Sequence, residues 1–139
     1  MSCSITAGAV IYATDLDRLA EFYAGALQFQ IVMRDSQHVV LTANSFELVL
    51  LKRESAANPV ESDSTIPRPR RSEAAVKPVF VIDSIASARV AAPPFGGIVN
   101  AVAHEWRFGP YQVCDALDPD GNVLQLRQYL PDDSRDGAA

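Results

Sequence analysis

The pentapeptide His104-Glu105-Trp106-Arg107-Phe108 opens as the zinc-protease motif HExxH does, but Phe at its fifth position carries no metal ligand. That chemistry needs two imidazoles one helical turn apart, so the signal is weak. The same stretch holds Trp106, the only tryptophan of the chain, just before Phe108-Gly109-Pro110-Tyr111. An aromatic cluster on a loop can cover a flat ligand by stacking, and it can equally fill a core or a dimer contact. Cys3 and Cys114 form neither CxxC nor a metal spacing and read as buried free thiols rather than a disulfide scaffold.

Four further polar residues, Tyr12, Lys77, Gln125 and Arg127, fall on strand-like segments. Period-two alternation puts Gly8, Val10 and Tyr12 on one face and Ala9, Ile11 and Ala13 on the other. By the same count Lys77, Val79 and Val81 share a face, as do Val123, Gln125 and Arg127. If these faces line a cavity, the pocket is mostly apolar with four polar points, and an anionic or carbonyl-bearing ligand would suit it. Each of the four has an alternative as a solvated or structurally bonded side chain. Tyr12 or Lys77 could do acid or base chemistry only if burial moved its pKa. Arg68, Arg70 and Arg71 form a cluster able to hold an anion, against the plainer reading of a solvated linker.

The elements that must position these residues come from periodicity. Ala9 to Ala13 is a short apolar strand broken by Thr14-Asp15, either of which can cap a helix, with Asp17 placed as in a capping box. Leu16, Leu19, Ala20, Phe22, Tyr23 and Leu27 then follow helical spacing to about Leu27, predicting one face packed on a sheet. Strands follow at Phe29 to Arg34, His38 to Thr42 and Phe46 to Lys52, separated by polar turns, so the order is βαβββ. From Pro78 the pattern begins again, with a strand to Asp83, a helix from Ser84 to Ala92, and strands near Gly97 to Ala101, Tyr111 to Ala116 and Asn122 to Arg127. A shift of 69 positions lays Val10-Ile11-Tyr12-Ala13 on Val79-Phe80-Val81-Ile82, with a slip of about eight residues near the end. The expectation is one domain over 1–128, built of modules at 7–52 and 76–128 around a flexible linker at 53–75, with a polar tail at 129–139.

At 139 residues the chain affords a packed core but not a large multidomain enzyme. A net charge of -5 has the wrong sign for a phosphate backbone, so nucleic acid is not an expected partner. No apolar run approaches the roughly 20 residues of a membrane-spanning helix, and the start lacks a leader pattern, so no membrane partner and a cytoplasmic location are expected.

Two segments carry a family resemblance. Ala13-Thr14-Asp15-Leu16-Asp17-Arg18-Leu19-Ala20-Glu21-Phe22-Tyr23, followed by Leu27-Gln28-Phe29, resembles the strand, Asp-Leu, Phe-Tyr and Leu-Gly-Phe pattern of the vicinal oxygen chelate superfamily. Asp118-Pro119-Asp120-Gly121-Asn122-Val123-Leu124-Gln125-Leu126 is similar to that superfamily's DPDGN hairpin and final strand. The superfamily contains glyoxalase I, extradiol dioxygenases and bleomycin-binding proteins. The resemblance implies an α+β fold of two βαβββ modules forming a cupped, mostly antiparallel sheet, a homodimer, and a site at or near the interface. In DPDGN itself the acidic residues read as turn formers, since Pro fixes φ and Gly accepts a positive φ.

The resemblance also implies metal ligands at four positions. The superfamily's first His falls on Gly8, its second on Lys77, and its Glu after DPDGN on Gln125; the fourth strand of the first module keeps a carboxylate, Glu47. A glycine, an ammonium and a neutral amide are poor replacements for His and carboxylate. The expected metal site is therefore none, with Glu47, His104 and Glu105, joined by His38, as the residues of a different site if a metal is present. The expected function is binding of a small organic molecule at Tyr12, Lys77, Trp106, Gln125 and Arg127 without a cofactor. The alternative is a metal-dependent lyase, isomerase or dioxygenase with non-standard ligands. Whether the protein is an enzyme stays open, and catalytic residues stay unassigned.

Overall fold

The structure, a computed structural model, describes residues 4–53 and 74–131. The expected linker, with Arg68, Arg70 and Arg71, lies almost entirely outside the described residues, as do Cys3 and the tail from 132 onward.

The first module comprises β1 (Ala7–Ala13), α1 (Leu16–Gly25), β2 (Gln30–Arg34), β3 (His38–Ala43) and β4 (Phe46–Lys52). Asp15 is the N-cap of α1, accepting from the Arg18 amide at 3.1 Å. Asp17 closes no capping box; it lies 3.8 Å from Arg34 on the surface. The helix stops at Gly25, short of Leu27, because Gln28 turns the chain back with φ +66° and the Phe29 amide donates to the Tyr23 carbonyl. Asn44 and Ser45, both at positive φ, make the tight β3–β4 turn.

The second module repeats the plan: β5 (Val79–Val81), α2 (Ile85–Ala91), β6 (Ile98–Val99), β7 (Trp106–Phe108), β8 (Tyr111–Leu117) and β9 (Val123–Tyr129). Sheet order is β1-β4-β3-β2 in one module and β5-β9-β8-β6 in the other, with β7 also on β8. Each sheet has one parallel pairing, β1 with β4 and β5 with β9, and is otherwise antiparallel. The α+β fold of two βαβββ modules is thus as expected, with two differences. The cupped sheet is hydrogen-bonded as two sheets, of four and five strands. The segment read as an aromatic loop is the strand β7. β6 and β7 lie along the same edge of β8, and the excursion between them includes a 3-10 turn at Val102–His104. Val10 pairs with Val49, and Val79 with Gln125, so the offset between modules grows from 69 to 76 residues. The interrupted strand supplies a physical source for that slip.

The buried faces of both sheets share one apolar cluster with both helices. Leu48 and Leu50 of β4, Leu124 and Leu126 of β9, Leu19, Phe22 and Tyr23 of α1 and Phe80 of β5 all belong to it. Phe46, Tyr23 and Phe29 each meet Phe80 edge-on, at 5.4, 5.9 and 5.3 Å between centroids, which couples the modules through aromatic packing. No helix among the described residues is long and apolar enough to cross a membrane.

Candidate functional site

Alternation and register define the face opposite the helices. On the first sheet Tyr12, Leu51 and His38 form one row, Val10, Val49 and Val40 the next, and Gly8, Glu47 and Thr42 a third. On the second sheet Val79, Gln125 and Asp115 form a row, followed by Val81, Arg127, Val113 and Trp106, and then by Tyr129, Tyr111 and Phe108. Where β1 and β5 end their respective sheets, a cavity of about 520 Å³ opens between them, lined by Gly8, Val10, Tyr12, Phe46, Val79 and Val123 among others. Its lining is predominantly apolar.

The five expected ligand contacts therefore share the helix-free face but not one pocket. Tyr12 lines the cavity and is exposed. Gln125, Arg127 and Trp106 lie on the second sheet, beyond Val79 and Val123, and Lys77 just precedes β5. Lys77 Nζ donates to both Asp115 oxygens, at 3.2 and 3.0 Å, forming a chelated ion pair. Gln125 Oε1 accepts from Arg127 Nε at 2.8 Å. The Arg127 guanidinium stands 4.7 Å from the Phe108 ring centroid and 5.7 Å from that of Tyr111. Asp115 joins a constellation in which sequence reasoning did not place it, while Phe108 takes the place beside the ligand face that the aromatic cluster suggested. The alternation Tyr111, Val113, Asp115, opposite Tyr129, Arg127, Gln125, is the signal that finds Asp115.

The residues named for an alternative metal site are not gathered. Glu47 is half-buried on β4 beside Gly8, and His104 is exposed in its 3-10 turn. Glu105 lies on the helix side, where it accepts from Arg89 and, at 3.0 Å, from Gln112 Nε2. His38 Nδ1 lies 3.1 Å from Asp35. Among the described residues no three His, Cys, Asp or Glu side chains converge as a metal group. Cys114 is buried and free, and burial pushes its thiol pKa up against the opposing pull of Arg89. Burial pulls the Arg89 pKa down, but the hydrogen bonds and charges of Glu105 and Cys114 together raise it above its ordinary value.

DPDGN is a structural turn. Asp118 and Asp120 are buried; Asp118 Oδ1 accepts from the amides of Asp120 and Asn122 at 2.9 and 3.0 Å, and Gly121 takes φ +86°. Asp120 Oδ2 accepts from the Thr14 amide at 2.9 Å, tying the turn to the start of α1.

No protein-family profile matches the chain, and no curated protein sequence does. Solved structures do. A glyoxalase/bleomycin resistance protein/dioxygenase family enzyme from Burkholderia phytofirmans PsJN is similar at TM-score 0.62 and 15% identity, over 88% of this chain and 97% of that one. The bleomycin resistance determinant encoded on the transposon Tn5 gives 0.58 and 20%, over 91% and 98%. Lactoylglutathione lyase from Agrobacterium tumefaciens gives 0.55 and 21%, over 90% and 93%. At these identities the likeness is one of fold. The fold is that of these glyoxalase/bleomycin resistance proteins.

Proposed function

We propose that this protein binds a small organic molecule on the helix-free face of its two sheets, and does so without a divalent metal. The observation that carries the reading is the apolar cavity of about 520 Å³ between β1 and β5, within the range of roughly 300–1,000 Å³ usual for small-molecule sites. It adjoins a face whose polar groups are few.

The donor chemistry at the superfamily's ligand positions argues against a metal. A Cβ at Gly8 would stand 2.7 Å from the Glu47 carbonyl oxygen, so the backbone approach leaves no room for a side chain there. Lys77 brings a cation, and the Gln125 carbonyl oxygen faces the guanidinium of Arg127. Two positive groups beside one carboxylate do not make a divalent-cation site.

Pairing of two chains belongs to the same reading. Val10, Tyr12, Val79, Val81 and Phe108 are large apolar residues exposed on one face, the kind of surface that marks an interface.

The test uses chelator-treated protein. Saturable binding of 4-nitrobenzamide and no stoichiometric uptake of Ni, Mn, Fe(II) or Zn, both read by calorimetry, are the expected results. Stoichiometric metal uptake would sink the metal-free reading. Sedimentation at micromolar concentration is expected to show a dimer, and a monomer there would remove the pairing.

A further inference from the structure

Arg127 sits in the middle of an otherwise apolar part of the second sheet. Val81 flanks it on β5 and Val113 on β8, with Trp106 beyond; the next row toward the strand end holds Tyr129, Tyr111 and Phe108. Its side chain is half-buried, and no described carboxylate forms an ion pair with it. The carboxylate in the neighbouring row, Asp115, is chelated by the Lys77 ammonium. The two expected cationic contacts are therefore not equivalent. Lys77 is neutralised, whereas Arg127 keeps its charge.

Arg127 is also held in place. Nε is spent on Gln125 Oε1 at 2.8 Å, and the guanidinium is within cation-π distance of Phe108 and Tyr111. The terminal Nη1 and Nη2 groups make no described hydrogen bond, and together they form the end of a planar fork that matches a carboxylate's two oxygens. Positioning by an amide and two rings lowers the entropy lost when the fork engages an anion. The aromatic side chains of Trp106, Phe108 and Tyr129 are all exposed around it, offering apolar area to the rest of such a molecule.

We infer that Arg127 is the anchor of a site for an organic acid, a carboxylate carried on a flat apolar body, with the carboxylate on the guanidinium and the body against the aromatic residues of β7 and β9. The inference rests on the small-molecule reading above for its helix-free face and extends it to the second sheet, since Arg127 and these aromatic residues do not line the β1–β5 cavity.

Calorimetric titration with 4-nitrobenzoate and with 4-nitrobenzamide tests it, because the two probes share size and ring and differ in charge. The benzoate is expected to bind about tenfold or more tightly than the amide, with the margin shrinking as salt is raised. In Arg127→Met that margin is expected to vanish while amide binding persists, and Arg127→Lys is expected to restore part of it. Lys77→Met, which frees Asp115, is expected to weaken the benzoate selectively. Equal binding of the two probes by the unaltered protein would overturn the acid site and leave the small-molecule reading standing. Binding of neither would overturn both. Because the probe comparison is made on the unaltered chain, it stands even if a variant fails to fold, which circular dichroism would reveal.

Discussion

The Tyr23 hydroxyl donates to Asp118 Oδ2 at 2.8 Å across 95 positions of sequence, joining the first module's helix to the second module's DPDGN turn inside the core. Tyr23 is fully buried, and Asp118 nearly so. Asn122 Nδ2 donates to the same oxygen at 2.8 Å, so the carboxylate is fully engaged. The bond places two segments that carry the family resemblance in direct contact. Burial, reinforced by the neighbouring Asp118 charge, pushes the Tyr23 pKa well up, so the phenol stays protonated and donating.

Tyr23→Phe removes one donor from a buried carboxylate. It is expected to lower stability by about 1–3 kcal/mol, read as a shift in the urea midpoint at unchanged slope. Combining it with Asp118→Asn should give less than the sum of the single losses, since both delete the same bond. Strict additivity would show that the bond contributes nothing.

The same carboxylate sets a pH dependence. Burial raises the Asp118 pKa above its ordinary 3.8, against the lowering by hydrogen bonds from Asn122 and Tyr23. The native state therefore holds this proton more tightly than the unfolded chain. Its contribution makes stability fall as pH rises from 3.8 to the native pKa, and it is level outside that window. Asp35 acts in the opposite sense: hydrogen bonds from the Gln37 and His38 amides lower its pKa, so its contribution is lost as pH falls below 3.8. The difference in unfolding free energy between the unaltered protein and Asp118→Asn isolates the first slope, and a difference of the opposite sign would contradict it.

Gln28 stands where the resemblance noted in the sequence has Gly, and it takes φ +66° on leaving α1. Its side chain is exposed, so little packing is at stake. Gln28→Gly should relieve the left-handed strain and raise stability by roughly 0.5–1 kcal/mol, with the greater freedom of glycine in the unfolded chain offsetting part of the gain. A thermal melt checks the sign.

Gly8→His, at the position where the resemblance places a first metal ligand, is expected to cost about 1–3 kcal/mol because its Cβ must displace the β4 backbone at Glu47. It should confer no stoichiometric affinity for Ni or Zn, since Lys77 and Gln125 remain. Tight uptake by this variant, seen in a calorimetric titration, would show that the seam relaxes around a metal.

Much of the fold was legible in local pattern. Period-two alternation on β1, β5 and β9 and helical spacing from Leu16 to Tyr23 were enough to assign faces, because side-chain direction in a strand or helix follows from backbone geometry alone; on β4 a shift of register by one residue left the direction of Glu47 open. β4 was bounded at Phe46 and Lys52, where turn residues punctuate it. β7 was missed because Trp106-Arg107-Phe108 is too short to show a period; it is a strand only because the edge of β8 offers it partners. The end of α1 was placed too late because apolar spacing continues to Leu27, whereas the turn at Gln28 depends on Phe29 reaching Tyr23.

Residue chemistry by itself determined the two-module repeat and the turn at DPDGN, and it places Gly8, Lys77 and Gln125 where the resemblance implies metal ligands. Tertiary structure decided which polar groups pair. Lys77 and Arg127 look alike in a sequence, yet the tertiary structure pairs one with Asp115, while strand register sets the other among Val81, Val113 and the β7 aromatics. The physical reason is that charge compensation acts over a few ångströms between strands far apart in the chain, a distance that composition and spacing do not encode.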